Sequence, residues 1–327
     1  MTDISQEKIS AFKSFIEKHD YFYIAGHKEP DGDCVSSCIG ISKILEHFNK
    51  KFVLLNAGPF KRIEIRKYAG LFTDTLDFQT NEERKSTGLI LCDCSELARL
   101  GELDGDLEGF DTFIIDHHKT SETNSENSII DPFSPAAALL VQILYENLIG
   151  NLPQELAEII FFGTMTDTGF FRFLSASDAN VLVAVSRLLN AGADPRKTYD
   201  YITSGKAYST RKLLGILLDH AERYLDGKLI VTYETLEDTK KWGQEGRDSD
   251  ALYSTLLQVQ GVEAVAFVRQ DSEITVTAGL RSRDKVDVSS VASKFGGGGH
   301  KNASGLSCNG KLETFIPTLV KEFAKIM

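Results

Sequence analysis

The chain has 327 residues, and its 47 Asp and Glu exceed its 36 Lys and Arg, which gives a net charge of -11. This length is typical of about two domains. With 42% hydrophobic and 25% charged residues the composition is that of a globular protein, which excludes the disordered and fibrous classes. The acid excess also argues against a protein that coats long nucleic acid, because such proteins neutralise many phosphates with Lys and Arg.

The sequence also indicates a compartment. The first 20 residues lack the apolar core of a signal peptide, and no run of about 18 apolar residues could cross a membrane. Five cysteines are an odd and sparse set, which favours reduced thiols and a cytoplasmic protein without a membrane partner. Cys92 and Cys94 form a C-x-C pair, but a thiolate metal site would need two more ligands. We therefore interpret them as buried residues of a strand.

Apolar periodicity in the first half predicts helices that alternate with strands. This alternation predicts an α/β fold, an open and mostly parallel sheet with helices on both faces. Ligands bind such sheets outside the carboxyl ends of the strands, and two predicted strands end there in an acidic residue. The predicted elements are helix 6–18, strand 21–25, helix 35–48, strands 51–55, 89–92 and 112–115, and helices 134–149, 153–166 and 177–190.

The second half predicts a smaller α+β domain after a polar, helical connector. Its strands at 264–268 and 274–278 flank Arg269–Ser272, which we interpret as a hairpin turn. A further strand is predicted at 229–233, with helices at 206–223, 287–294 and 311–326. The predicted organisation is a catalytic domain at 1–190, the connector at 191–226 and a substrate-binding domain at 227–327.

The loop after the first strand carries His27, Asp31 and Asp33 around Pro30 and Gly32. One imidazole and two carboxylates in a loop between a strand and a helix could bind a metal. Pro stiffens such a turn, Gly relaxes it, and Asp suits a helix N-cap. A Pro-Asp-Gly turn with a capping Asp is therefore the alternative interpretation.

Three further acidic or histidine motifs follow predicted elements. Asp93 follows a buried strand, and Asp116-His117-His118 follow the next one. Asp167 lies at the end of an apolar helix. Each alone has a structural interpretation, as a strand end, a partly exposed His pair or a turn residue. Adjacent histidines beside a carboxylate are, however, typical of transition-metal ligation, in which the carboxylate fixes the imidazole tautomer.

Together these motifs supply four carboxylates and three imidazoles, all at the ends of elements of one layer. Oxygen and nitrogen ligands favour hard to borderline divalent ions, such as Mn²⁺ or Mg²⁺, over a thiolate zinc site. Crowded carboxylates repel one another unless cations neutralise them. We therefore expect two divalent ions, which suit phosphoryl transfer because they stabilise both the attacking and the leaving oxygens.

A glycine run followed by a histidine marks the second half. Four consecutive glycines, 296 to 299, precede His300. Glycines allow a backbone to approach a ligand closely and can present N–H groups to an anion. Upstream, Arg281, Arg283 and Lys285 concentrate positive charge in an acidic chain. A flexible loop and a solvated charge run are the alternative interpretations.

These motifs together resemble those of the DHH/DHHA1 phosphoesterase family, and most of all its branch of bifunctional oligoribonucleases and 3'-phosphoadenosine-5'-phosphate (pAp) phosphatases. The resemblance covers nearly the whole chain. Asp116-His117-His118 is similar to the family's namesake motif. The glycine run with His300 and Ala303-Ser304-Gly305 is similar to the mark of its C-terminal domain. One departure is Cys34-Val35-Ser36-Ser37, where this branch more often has Ala-x-Gly-Ser.

The resemblance implies roles for the motif residues. It implies that Asp93 bridges two ions, most often Mn²⁺, with Mg²⁺ or Co²⁺ as alternatives. His118 would contact the scissile phosphate, with Asp116 behind the histidines. The first ion would be bound by His27, Asp31 and Asp93, and the second by Asp33, Asp93, His117 and Asp167. The substrate would be bound by Arg281, Gly297, Gly298, Gly299 and His300.

The implied activity is hydrolysis of short oligonucleotides, linear dinucleotides such as pApA, or pAp, by a metal-activated water. Long duplex DNA is not an expected partner. Within the family the alternatives are a RecJ-like single-strand exonuclease, a cyclic-dinucleotide phosphodiesterase and a pyro- or polyphosphatase. A non-enzymatic nucleotide-binding module is a further alternative, although every expected ligand position is filled. Because related proteins of this type are often dimers, a homodimer is one expected association state.

Overall fold

The computed structural model describes residues 4–76, 80–118, 126–283 and 285–327. The chain divides into two compact units, Met1–Gly205 and Lys206–Met327. Each unit contains its own sheet. The domain boundaries expected at 190/191 and 226/227 remain predictions. In the described part of the chain, every helix is too short or too polar to span a bilayer.

The sheet of the first unit has five strands, all parallel, in the order β2-β1-β3-β4-β5. The predicted parallel sheet is confirmed. Strand β2 lies on one side of β1 and β3 lies on the other, so the strand order reverses between β1 and β3. A crevice for ligands is expected outside the carboxyl ends of these two strands. The strands are β1 (Tyr21–Gly26), β2 (Lys51–Leu55), β3 (Thr87–Cys92), β4 (Asp111–Asp116) and β5 (Ser128–Ile130).

Long helices cover one face of this sheet and share a single core with it. The helix Gly32–His47 is buried along most of its length, because it lies between the sheet and two other helices. On the opposite face, Tyr23, Leu89 and Leu91 pack against the short 3₁₀ helix Leu97–Leu100 and loop residues. The helices of the unit are α1 (Gln6–Lys18), α2 (Gly32–His47), α3 (Asn81–Ser86), α4 (Ala137–Leu148), α5 (Gln154–Asp167), α6 (Ala179–Asn190) and α7 (Pro195–Thr203), with 3₁₀ helices at Ile63–Leu71 and Ala176–Asp178.

Helices α2 and α5 touch through small residues near the ends that carry the predicted ligands. A Cβ on Gly163 would lie 2.6 Å from the Ser36 Cβ, and one on Gly32 would lie 2.4 Å from the Thr166 Oγ1. Only glycine allows backbones this close. The contact brings the start of α2, with Asp31 and Asp33, next to the end of α5.

The second unit has a six-stranded mixed sheet in the order β10-β11-β9-β8-β7-β6, in which only β7 and β8 are parallel among the described strand pairs. Helices α11 and α12 share the core on one face, whereas α8 and α10 pack on the other. The strands are β6 (Glu222–Tyr224), β7 (Leu229–Glu234), β8 (Ala264–Ser272), β9 (Thr275–Ser282), β10 (Gly298–His300) and β11 (Ala303–Asn309). The helices are α8 (Tyr208–Asp219), α9 (Leu236–Trp242), α10 (Ser249–Leu257), α11 (Val288–Ser293) and α12 (Leu312–Phe323).

The hairpin turn predicted at Arg269–Ser272 is wrong, because those residues are the end of β8. The polar run is compatible with a strand since Gln270 points inward. Its amide nitrogen donates to the Thr275 and Gly310 carbonyls, and its oxygen accepts from the Leu312 N–H. The register shifts between Gln270 and Ser272, and the turn falls at 273–274.

Candidate active site

The loop after β1 orients His27 and caps α2. The Asp31 Oδ1 accepts from the N–H groups of Asp33 and Cys34, each at 3.1 Å, so Asp31 is an N-cap as the alternative interpretation required. The His27 Nδ1 lies 2.9 Å from the Lys28 carbonyl oxygen. A carbonyl can only accept, so Nδ1 carries the proton and Nε2 is left to face carboxylates. That Nε2 lies 3.9 Å from the Asp31 Oδ1.

Asp93 directly follows β3 and lies between two histidines. Its φ of 59° is in the left-handed region, where Asp is tolerated better than most residues. Its Oδ2 lies 3.4 Å from the His27 Nε2, and its Oδ1 lies 3.2 Å from the His117 Nε2. The Oδ1 is buried and receives no hydrogen bond of normal geometry from the described residues. Each carboxylate oxygen therefore faces a different imidazole.

The Asp116-His117-His118 motif begins at the last residue of β4. The buried Asp116 Oδ1 accepts from both following N–H groups and lies 2.7 Å from the His118 Nδ1. The His117 Nδ1 lies 3.1 Å from the Ser134 carbonyl oxygen, which directs its Nε2 toward the acidic cluster. The His118 side chain is 34% exposed.

Two more carboxylates surround His117. Its Nε2 lies 3.6 Å from the Asp33 Oδ2 and 3.3 Å from the Asp167 Oδ2. Asp33 is fully buried, and its two oxygens accept from the Ala137 and Ala138 N–H groups at 2.6 and 2.8 Å. These are the first two residues of α4, so Asp33 also satisfies a helix N-terminus.

The protonation equilibria reflect this crowding of acids and histidines. Burial alone would lower the pKa of His117, but its close contact with the Asp93 carboxylate and the nearby Asp charges raise this pKa to about 10. Burial and the other carboxylates raise the pKa of Asp167 to about 6 and that of Asp33 well above its usual value. Burial opposes ionisation of Asp93 too, yet its contacts with His117 and His27 lower its pKa.

The donor set fits divalent cations. Two clusters, His27 with Asp31 and His117 with Asp33 and Asp167, meet at the two oxygens of Asp93. Among the described residues, none donates a hydrogen bond of normal geometry to the buried Asp93 Oδ1, as expected of a carboxylate oxygen that binds a cation. The oxygen and nitrogen donors suit hard to borderline ions.

Sequence reasoning did not find three supporting features of this site. One is the Ser134 carbonyl behind His117, and another is the pair of N–H groups at the start of α4. No local pattern indicates either, because both depend on tertiary contacts. The third is Cys34, whose Sγ lies within 4.8 Å of ligand atoms of His27 and Asp93. It could have been found, because it directly follows the acidic motif.

In the second unit, Arg281 and His300 lie in one row across the sheet. Ala303 pairs with His300 on one side and with Arg281 on the other. Directly paired residues of antiparallel strands point to the same face, so both side chains flank the small Ala303. The Arg281 guanidinium lies 4.8 Å above the centre of the Tyr253 ring. A cation–π contact of this kind holds the guanidinium in place.

The glycine run is partly a helix cap. Gly296 has a φ of 75°, its N–H donates to the Ser293 carbonyl, and the Gly297 N–H donates to the Ala292 carbonyl. This is the Schellman arrangement at the end of α11. The prediction that the run presents free N–H groups to an anion is therefore wrong for these two residues. Gly298 and Gly299 form β10 with His300, and all three are exposed.

Comparison with known proteins decides the family. Residues 21–164 match the DHH family, N-terminal domain, and residues 226–327 match the DHHA1 domain. The chain belongs to the DHH/DHHA1 family. As a member it is a hydrolase of the phosphoesterase class. The two matched ranges include strands of both sheets, so the resemblance seen in the sequence is confirmed.

This DHH/DHHA1 protein has named relatives of similar length. It is 29% identical to the bifunctional oligoribonuclease and PAP phosphatase NrnA of Thermus thermophilus, over 88% of this chain and 84% of that protein. It is 26% identical to the NrnA of Bacillus subtilis, over 89% of this chain and 90% of that protein. The cyclic-di-AMP phosphodiesterase PdeA of Listeria monocytogenes is 25% identical over 89% of this chain but only 45% of that protein.

Solved structures of the family share this fold. An exopolyphosphatase-related protein from Bacteroides fragilis superposes with a TM-score of 0.83 and 25% identity, over 98% of this chain and 97% of that one. An exonuclease RecJ bound to manganese has a TM-score of 0.54 and 17% identity, over 100% of this chain and 96% of that one. At that identity the RecJ likeness shows the fold alone.

Proposed function

We propose that this chain is a metal-dependent phosphoesterase that hydrolyses short oligonucleotides, linear dinucleotides such as pApA, or pAp. The observation that carries the proposal is the position of Asp93. Its Oδ2 lies 3.4 Å from His27 and its Oδ1 lies 3.2 Å from His117, so one carboxylate faces two ligand clusters. Paired divalent ions in phosphoesterases are typically about 3.5–4 Å apart, a separation that one carboxylate can bridge.

We assign the ligands of two ions accordingly, with Asp93 common to both. When bound, such ions supply a water nucleophile at neutral pH and stabilise charge on the attacking and leaving oxygens. Mn²⁺ is the proposed ion, with Mg²⁺ and Co²⁺ as alternatives, because the donors are oxygen and imidazole nitrogen. The first ion would be bound by His27, Asp31 and Asp93, and the second by Asp33, Asp93, His117 and Asp167.

His118 is the proposed contact to the scissile phosphate. Its Nδ1 lies 2.7 Å from the Asp116 Oδ1, which fixes the ring and directs its other nitrogen away from Asp116. Because Nδ1 donates to Asp116, Nε2 can donate to a phosphate oxygen only when the ring is an imidazolium, which would also stabilise the charge that develops there. The side chain is more exposed than those of His27 and His117, as a substrate contact requires.

The second unit supplies the proposed substrate contacts. Arg281 can bind phosphate with two parallel hydrogen bonds, and its stacking on Tyr253 holds the planar guanidinium in one orientation. His300 lies in the same row of the sheet. Gly297, Gly298 and Gly299 remain proposed contacts, through close approach of the ligand to backbone that carries no side chain.

Charge favours short substrates. The net charge of -11 repels long polyanions, whereas two bound ions would add four positive charges at one position. The bifunctional relatives are named for oligoribonuclease and PAP phosphatase activity. We propose the cytoplasm as its compartment because all five cysteines are unpaired thiols. A homodimer remains a prediction.

The direct test is hydrolysis of a 5'-labelled dinucleotide and of pAp with added Mn²⁺. We expect release of mononucleotide from the first and of inorganic phosphate from the second. EDTA should stop both reactions. If the wild-type protein, loaded with Mn²⁺, leaves both substrates intact, the proposed function is wrong.

The other activities of the family are separated by their substrates. The similarity to an exopolyphosphatase-related structure at 25% identity favours polyphosphate as the second candidate. A single-strand length series, cyclic di-AMP and polyphosphate should therefore be assayed together. Sustained degradation of long strands would favour a RecJ-like exonuclease, and preference for polyphosphate would favour a polyphosphatase.

A further inference from the structure

Phe133 is an exposed aromatic ring on a loop that is attached to the site. The side chain is 82% exposed, yet its backbone is fixed, because its N–H donates to the Asp131 Oδ1 at 2.9 Å. The Asp131 N–H in turn donates to the Asp116 carbonyl. The next residue, Ser134, supplies the carbonyl that orients His117. Phe133 is therefore one residue from a group that supports a proposed ligand.

Phe173 is a second exposed ring, six residues after Asp167. Its ring is 70% exposed and lies against Gly169, where a Cβ would be 2.7 Å from the ring Cε2. Gly169, Phe170 and Phe171 all have positive φ, 54°, 55° and 67°. Bulky residues rarely adopt this conformation, and strain of this kind concentrates at functional sites.

Contacts within the unit maintain the strained turn. Phe170 packs edge-on against Tyr199 with ring centres 5.1 Å apart, and both Phe170 and Phe171 pack on the core. The Phe173 N–H donates to the Thr168 carbonyl at 3.2 Å. The turn thus packs two half-buried rings against the core and exposes the third, Phe173, six residues after Asp167.

A single exposed ring needs no explanation. Phe133 and Phe173, however, follow different elements, and hydrogen bonds hold the backbone of each. Each lies within six residues of a proposed ligand or of a group that supports one. Arg172 adds a positive charge here, since its Nε donates to the Gly169 carbonyl and its guanidinium lies 5.7 Å from the Phe173 ring centre. An aromatic face beside a cation suits a ligand with both a base and a phosphate.

We propose that Phe133 and Phe173 stack on the nucleobases of the substrate and so restrict this site to nucleotides rather than inorganic phosphate chains. The inference rests on the proposed function and names its substrate class. Stacking on an aromatic side chain is sequence-tolerant because every base has a flat π-face. The site should therefore accept different bases but reject substrates that carry none.

The test compares two substrates that share one phosphodiester, pApA and its abasic counterpart, in wild type and in the variants Phe133→Ala and Phe173→Ala. Each variant should raise the KM for pApA by about fivefold or more, the lower end of the range for loss of one stacked base. The KM for the abasic substrate should stay unchanged. Phe133→Tyr and Phe173→Tyr keep the ring and should restore the wild-type KM. Leu182→Ala removes another exposed apolar side chain, on α6, and should change neither KM.

A binding measurement keeps the inference testable without turnover. The fluorescence of a 2-aminopurine dinucleotide should be quenched by wild type and less by either Ala variant. If wild type cleaves pApA but the Ala substitutions raise the KM equally for both substrates, or for neither, the inference is wrong. The proposed function is unaffected by that result. Absence of quenching by wild type overturns it as well. If wild type hydrolyses no phosphoester substrate, the proposed function itself is contradicted.

Discussion

At the scale of single residues, Asp93 links the chemistry of the site to its backbone. Its left-handed φ of 59° is tolerated by Asp and Asn better than by most residues. Asparagine preserves shape and backbone preference and removes only the charge. Alanine would also add backbone strain, so Asp93→Asn is the better probe of the proposed bridge.

We expect Asp93→Asn to lose both ions and to reduce kcat by more than about a hundredfold, since even residues behind metal ligands cost 10–100-fold. Metal content should be measured by elemental analysis beside activity. Asp226→Asn is the matched control, because Asp226 also has a left-handed φ, of 54°, but lies in the second unit. Two ions per chain in Asp93→Asn would contradict the assignment.

Asp116 acts on the site through the histidines. Its Oδ1 accepts from the N–H groups of His117 and His118 and from the His118 ring. We expect Asp116→Asn to weaken Mn²⁺ binding by about 10- to 100-fold, as is typical of such partners. Titration calorimetry measures the change. Asp111→Asn, at the opposite end of the same strand β4, should bind Mn²⁺ like wild type. Equal loss in both variants would point to damage of the strand instead.

At the scale of elements, the contact between α2 and α5 sets the width of the site. Gly163→Ala would place a Cβ 2.6 Å from the Ser36 Cβ and 3.1 Å from the Gly32 carbonyl oxygen. Overpacking of this kind typically costs about 1–3 kcal/mol. We expect a lower free energy of unfolding in urea and weaker Mn²⁺ binding, because Asp167 would move away from Asp33.

The control for this variant is Gly215→Ala. Gly215 lies inside α8, where an added Cβ meets no atom within 4 Å. Alanine favours a helix over glycine by up to about 1 kcal/mol, so this variant should be as stable as wild type or more stable. A Gly163→Ala protein that is equally stabilised would show that the helix contact is looser than described.

Periodicity predicted the long elements well and the short ones poorly. Helix 6–18 and strand 51–55 were predicted with the bounds that the structure has. The three-residue β5 and β6 were missed because three residues are too few to show a period, and the 3₁₀ helix Ile63–Leu71 because it does not have the 3.6-residue period of an α-helix. Helix α2 begins three residues before its prediction, since the motif Asp31-Gly32-Asp33 is itself the cap and first turn.

The clustering of the site residues followed from sheet topology. The strands that end at Asp116 or just before His27 and Asp93 are neighbours, so a parallel sheet brings these residues together. Two features were beyond sequence reasoning. The left-handed turn at Phe170 and Phe171 depends on tertiary packing, and the capping of α4 by Asp33 joins residues more than a hundred positions apart.

At the scale of the whole molecule, the first unit contains a buried acidic cluster that cations would stabilise. Mn²⁺ at a hundred times its dissociation constant should add about 2.7 kcal/mol to the free energy of unfolding. Differential scanning calorimetry with Mn²⁺ and with EDTA measures the shift. Asp93→Asn should show little shift. A full shift in that variant would mean that the ions bind elsewhere on the acidic surface.

The bond between Asp33 and the start of α4 gives the site an internal spectroscopic reporter. Both Asp33 oxygens accept from the amides of Ala137 and Ala138, and Oδ2 also faces His117. A cation that withdraws electron density from this carboxylate must weaken both hydrogen bonds. The ¹⁵N and ¹H chemical shifts of these two amides should therefore change when a diamagnetic ion such as Mg²⁺ binds at the site proposed for the second ion. Metal loading could then be followed in solution residue by residue, with no substrate present.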